Sequence, residues 1–165
     1  MAVRNEIYFY RASGKYGPFS NWYMDKQKFH IDTLDQDFVC AEQAIMYAKS
    51  MLFNDLAIAT RIMKTDSPTN HKKLGRLVHN FDQTIWSQNI DKIAYEVLYA
   101  KFTSDENLKT LLLSTGNALI AEASPTDKIW GIGISVSDAS NGVRPNGTNL
   151  LGKTLMQVRD DLLKE

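Results

Sequence analysis

Apolar and polar positions change their spacing along this chain, and the change divides it into elements. Near the N-terminus the apolar residues come in short runs. Glu6–Tyr10 (EIYFY) is aromatic and apolar and Lys28–Asp32 (KFHID) alternates, so both predict extended segments, with Gly14, Gly17 and Pro18 marking a loop between them. After Cys40 the spacing becomes helical. Glu42, Ile45, Met46, Lys49, Leu52 and Phe53 fall on one face of a helix. A short helix over Asp55–Lys64 follows. Ser67 as N-cap and Pro68 at the first helical position then predict a helix to about Val78, with Leu74, Leu77 and Val78 inward. Asp82 is placed to cap a longer helix with Trp86, Ile90, Ile93, Val97 and Phe102 in its stripe and Ala94 and Leu98 beside it. Ser104, with Asp105 and Glu106, predicts the start of another, which Gly116 ends. Ala118–Ala123 and Ile129–Ile134 are strand candidates, the second weakened by two glycines. Ser135–Thr148 is polar and glycine-containing and predicts a loop. Asn149 is placed to cap a last helix with Leu151, Leu155, Val158 and Leu162 inward.

The elements sum to an α+β fold, mainly helical with a few short strands, in a single domain over residues 1–165. At 165 residues the chain is long enough to bury one core. There is no internal repeat. No apolar run approaches the ~20 residues that span a bilayer, and MAVRNEIYFYR lacks the apolar stretch of a signal peptide, so the expected location is cytoplasmic with no membrane partner. Cys40 is the only cysteine, which excludes an intrachain disulfide and a multi-cysteine zinc site. His30, His71 and His79 show no metal-binding spacing, so no metal and no cofactor are expected. Formal net charge is zero, which argues against a non-specific nucleic-acid binder but not against an enzyme that grips one modified nucleotide.

Three stretches look chemical. Glu42 and Lys49 share an apolar stripe, two turns and roughly 10 Å apart along the axis, far enough to flank a ligand. Periodicity alone leaves a second reading open, with Glu42 at the helix dipole and Lys49 extending past the stripe to water. Asp127, Trp130 and Gly131 lie in one short segment that combines a carboxylate, a stacking face and close backbone approach; a turn followed by a core tryptophan is the alternative. Lys72, Lys73 and Arg76 are candidate phosphate cations or a solvated helix face. Gly131-Ile132-Gly133 is not a dinucleotide fingerprint, and neither a P-loop nor a GxSxG elbow is present.

The ordered motifs together resemble the NADAR (YbiA-like) family of N-glycosidases. They are Gly17-Pro18-Phe19-Ser20-Asn21-Trp22-Tyr23, Cys40-Ala41-Glu42-Gln43, Met46-Tyr47-Ala48-Lys49, Lys73-Leu74-Gly75-Arg76, Ala100-Lys101-Phe102, Leu111 through Gly116, Glu122-Ala123-Ser124-Pro125, Asp127 through Gly133 and Asn149 through Lys153. The match runs from about Ile7 to Leu162, with Trp22 where the family often has Phe. The resemblance implies hydrolysis of a ribosyl N-glycosidic bond. One branch acts on intermediates of riboflavin synthesis and another removes ADP-ribose from guanine in DNA or RNA. AEQAIMYAKSMLF and the loop before Asn149 look closer to the second. The resemblance implies Glu42, Lys49 and Asp127 as catalytic. Glu122 and Asp127 would orient ribose hydroxyls and Trp130 would stack. Asn149 at a helix start would offer N–H groups to phosphate, and Arg11, Lys73 and Arg76 would add cations. Asn21 and Gly131 complete the expected substrate site. A non-catalytic ADP-ribose-binding module would keep the stacking and phosphate groups without needing Glu42 or Lys49.

Overall fold

A computed structural model describes residues 5–165. The reading of the first eleven residues as lacking a leader rests partly on residues 1–4, which lie outside the described residues. Among those described, no helix is long and apolar enough to cross a membrane.

Two helices organise the α+β domain. The first, α1 (Ala41–Leu52), packs against α2 (Leu56–Met63), α3 (Pro68–Gly75) and the long α4 (Gln83–Ser104). On its other side α4 meets α5 (Glu106–Leu113) and the C-terminal α7 (Leu150–Leu162). Four short strands complete the layer. Strand β1 (Glu6–Phe9) runs parallel to β4 (Leu119–Glu122), with Phe9 opposite Glu122, and β2 (Phe29–Ile31) is antiparallel to β3 (Gln36–Phe38). The core joins Phe19, Phe29, Phe38, Ile45, Phe102 and Leu151, all fully buried.

Capping explains most helix starts. Asp55, Ser67 and Asp82 each accept a backbone N–H three residues on. At α1 the N-cap is Cys40, whose side chain makes no capping bond. The buried Gln43 reaches back instead, accepting from Val39 N–H at 2.9 Å while its amide donates to Ile62 and Thr65 carbonyls. That ties the start of α1 to the end of α2.

Several expectations need correction. Helix α3 stops at Gly75 rather than Val78, because Asp55 captures both N–H groups of His79 and turns the chain back. Leu77 is consequently exposed while Val78 stays inward. Asp105, not Ser104, begins α5, accepting from Asn107 and Leu108 N–H groups. Residues 129–134 form no strand. Ile132 N–H bonds Glu122 O and Ile132 O accepts from Asn146 and Gly147, so its backbone is spent on separate loops. The polar loop over 135–148 contains a short helix, α6 (Val136–Ser140), capped by Ser135. Strand β3 was not anticipated.

Asn149 shows why α7 sits where it does. It is left-handed (φ 54°) and its side chain does not cap the helix. The side chain spans to β4, donating to Ile120 O at 3.0 Å and accepting from Glu122 N–H at 3.2 Å. One turn on, a Cβ at Gly152 would lie 2.1 Å from Ile120 O, so α7 lies backbone-close against the strand.

Candidate active site

The cavity that matters opens between α1, α3 and the end of β4. It holds about 280 Å³. Its first wall is α1. Glu42, Met46 and Lys49 all face in, one below the other on the stripe. Residues 127–130 form the opposite wall as a turn built by Asp127, whose Oδ1 accepts from Ile129 and Trp130 N–H at 2.9 and 2.8 Å. That leaves the second oxygen of Asp127 for the cavity. Glu122 enters from the end of β4, held in place by Asn149 below and by Ile132 N–H on its carbonyl.

Of the residues singled out in the sequence, Asn21, Glu42, Lys49, Lys72, Arg76, Glu122, Asp127 and Trp130 line this cavity. Four do not. Arg11 is exposed, left-handed at φ 64°, and lies over the Tyr10 ring. Lys72, Lys73 and Arg76 are all exposed, but only Lys72 and Arg76 border the cavity. Gly131 is buried beneath the 127–130 turn. Asn149 is buried, and the first N–H groups of α7 are taken by carbonyls: Asn149 bonds Gly131 O, Leu150 bonds Ile129 O and Leu151 bonds Trp130 O. They are not free to bind phosphate. Five lining residues carry no site role in the sequence. Trp22 and Gly75 lie in motifs without one, Met46 and Trp86 belong to apolar helix stripes, and Ile129 falls in the strand candidate.

The electrostatics are those of an acid–base site. Burial pushes the Glu42 carboxyl up to about 7; Lys72 pulls it down and the Asp127 charge raises it further. Glu122 is likewise pushed up to about 7, first by burial and then by Asp127 and Glu42. Glu42 and Glu122 on one cavity disfavour each other's ionisation, so their titrations are coupled. Burial lowers Lys49 below the ordinary lysine range; Glu42 opposes this and Arg76 adds to it. Its ammonium lies 4.5 Å from the Phe81 ring centre and 5.6 Å from that of Trp86. Two acceptors in the cavity, Asn21 Oδ1 and Glu122 Oε2, are buried without a hydrogen-bond partner in the protein. A buried orphan acceptor is costly, and a ligand rich in hydroxyl or N–H donors satisfies it. Trp22 and Trp130 supply ring faces at the wall, and Lys72 lies 6.0 Å from the Trp22 ring centre. No group of His, Cys, Asp and Glu among the described residues is placed to hold a metal ion.

Fold and cavity together define a class: a small α+β domain with a carboxyl and a lysine on one helix facing an acidic turn and aromatic walls. The NADAR domain model matches residues 8–163, and the chain belongs to that family. It is 40% identical over 147 residues to N-glycosidase R617 of Acanthamoeba polyphaga mimivirus, covering 87% of this chain and 86% of that protein. The NMR structure of YbiA from E. coli superposes with a TM-score of 0.79 at 25% identity, covering 99% of this chain and 88% of that one. A maize relative named riboflavin biosynthesis protein PYRR, chloroplastic, is 27% identical over 169 residues, which is 96% of this chain but 25% of that protein. General N-glycosidase activity is supported by the names the bacterial and viral relatives carry.

Proposed function

We propose that this protein is an N-glycosidase that removes ADP-ribose from ADP-ribosylated guanine bases in nucleic acid. The observation that carries the reading is the pairing, in one cavity, of a carboxyl raised to about 7 and a lysine depressed below its usual range. Cleaving a ribosyl C–N bond needs a proton for the leaving nitrogen and stabilisation of positive charge on the anomeric carbon. Protonated Glu42 donates to the nitrogen as the bond breaks. The ionised members of the carboxyl cluster face the developing oxocarbenium centre, and water then adds to the anomeric carbon with loss of a proton. The deprotonated fraction of Lys49 offers a second route: its amine attacks the anomeric carbon, the base departs with a proton, and water hydrolyses the adduct. Glu122 Oε2 and Asn21 Oδ1 suit sugar hydroxyl donors. Lys72 and Arg76 suit a diphosphate, and the two tryptophans suit flat rings.

A second reading is hydrolysis of riboflavin-synthesis intermediates. The small cavity favours it, because larger ligands commonly occupy about 300–1,000 Å³. The test is incubation with guanine-ADP-ribosylated DNA and, separately, with the riboflavin intermediates, followed by mass spectrometry. Free ADP-ribose and restored guanine are expected. No release in a single turnover, with rapid hydrolysis of an intermediate, would decide for the second reading. Binding of ADP-ribose without turnover of either would leave a reader module.

A further inference from the structure

Lys101, one turn from the end of α4, is fully buried. An ammonium in a protein interior is costly unless something there requires it. Its Nζ donates to Ser20 O at 3.1 Å and lies 5.4 Å from the centre of the Tyr23 ring. The acidic groups facing it are Asp25 and the Cys40 thiol, with Asp105 beyond Asp25. Both Asp25 carboxyl oxygens are buried without a hydrogen-bond partner. The cluster is therefore held by charge across a short gap, not by a direct ion pair.

The acceptor explains the lysine. Ser20 immediately precedes Asn21 and Trp22, both cavity residues. The segment from Ser20 to Asp25 is joined to the start of α1 by two backbone bonds, Glu42 N–H to Asn21 O at 2.8 Å and Asp25 N–H to Val39 O at 2.9 Å. Lys101 adds a third hold from α4, through its bond to Ser20 O. We propose that Lys101 is a positioning residue of the cavity: from α4 it fixes the Ser20–Trp22 segment, so that the Asn21 carboxamide and the Glu42 carboxyl meet the substrate in one geometry. The proposal rests on this cavity being the N-glycosidase centre. Burial lowers Lys101 to about 8, with Asp25 and Cys40 holding it up, so it is mostly charged at neutral pH.

Two variants and one measurement on the unaltered protein test this. Lys101→Met fills the space but removes the donor; Lys101→Gln keeps a shorter, uncharged donor. We expect Lys101→Met to lower kcat/KM at least ~10-fold, since small misplacements are expensive in catalysis. Its Tm should fall, because Asp25 is left buried without its opposite charge and Ser20 O without its donor. Lys101→Gln should recover part of the loss of turnover. A lysine needed only for stability gives the same fall in Tm with normal turnover per folded molecule, and that overturns the proposal. In the unaltered protein, NMR at pH 6 should show Lys101 ammonium protons protected from exchange and close to Ser20 and Asn21. Exchange at the rate of a solvated lysine overturns it without any variant. If the unaltered enzyme cleaves neither candidate substrate, the functional reading fails. The positioning claim is then decided by whether Lys101→Met or Lys101→Gln shifts the Asn21 carboxamide resonances; unmoved resonances sink it.

Discussion

Glu42→Gln should trade activity for stability, and the trade should depend on pH. The Glu42 carboxyl sits at about 7 in the folded protein against an ordinary value of 4.5. Between those limits the folded protein holds a proton that the unfolded chain has released. Its contribution to stability is complete below about 4.5, declines as pH rises through 7, and is absent above. The separation corresponds to about 3 kcal/mol. Glu42 is partly open to the cavity, so on the order of 2 kcal/mol is the better expectation. Glutamine is neutral at every pH and escapes the penalty. In a domain of this size that is worth roughly 4–8 °C in Tm at pH 8.5 and about a quarter of that at pH 5. Glu122 is displaced in the same direction, so the titration observed in the unaltered protein belongs to the pair. Turnover should fall at least ~100-fold, the lower range for loss of a general acid. Thermal denaturation at the two pH values and product release by mass spectrometry are the assays. An equal Tm offset at both pH values refutes the assignment of a strained carboxyl. Near-normal turnover in a folded variant removes Glu42 as the acid and shifts the chemistry to Glu122 and Asp127.

Three further outcomes are expected. Lys49→Ala should reduce turnover at least ~100-fold, and borohydride added during turnover to the unaltered enzyme should leave a sugar adduct that peptide mass spectrometry places on Lys49; lost activity with no adduct would assign Lys49 to proton transfer instead. Trp130→Ala should weaken ADP-ribose binding by about 1–3 kcal/mol in calorimetry, the range for a lost stacking face, whereas unchanged affinity would make Trp130 a packing residue. Gly152→Ala should destabilise the domain by about 1–3 kcal/mol in urea, because its Cβ would lie 2.1 Å from the Ile120 carbonyl; an unchanged midpoint would contradict the close approach of α7 to β4.

The fold was legible where a single local signal settles the matter. Ser67 and Asp82 cap their helices as their residue types predict, and the stripe of α7 is buried at all four expected positions. Legibility failed where a distant partner decides. Nothing near Val78 announces that Asp55 will pull His79 aside and shorten α3. Residues 129–134 look like a strand because Ile recurs there, yet they make a single bond to the end of β4, and the Ile132 carbonyl turns to Asn146 and Gly147 instead. Asn149 has the composition of a cap and the position of one, but β4 offers its side chain better hydrogen bonds than its own helix does.

The site divides along the same line. Glu42 and Lys49 stand out in the sequence because a charge on an apolar stripe needs a reason. Lys101 is more deeply buried than either, yet α4 carries so many polar residues that one lysine raises no alarm. Trp22 and Trp86 are cavity walls only because α1, α3 and the loop at residue 22 converge, which no spacing encodes. The geometry that makes the two α1 charges useful also comes from outside α1. Met46 lies between them on the stripe, and a Cβ at Gly75 would fall 2.0 Å from its sulfur. The missing Cβ lets α3 close on α1 at that one level. Met46 and Gly75 then form an apolar floor, with the carboxyl of Glu42 at one end and the amine of Lys49 at the other. Lys72 and Arg76 are carried to the same opening by the same helix. A larger residue at position 75 would have to push the Met46 side chain aside, opening that floor, admitting water beside both groups and letting each return toward its ordinary pKa. On this argument Gly75 belongs to the chemistry as much as to the packing, since the perturbation of Glu42 and Lys49 depends on keeping that floor dry.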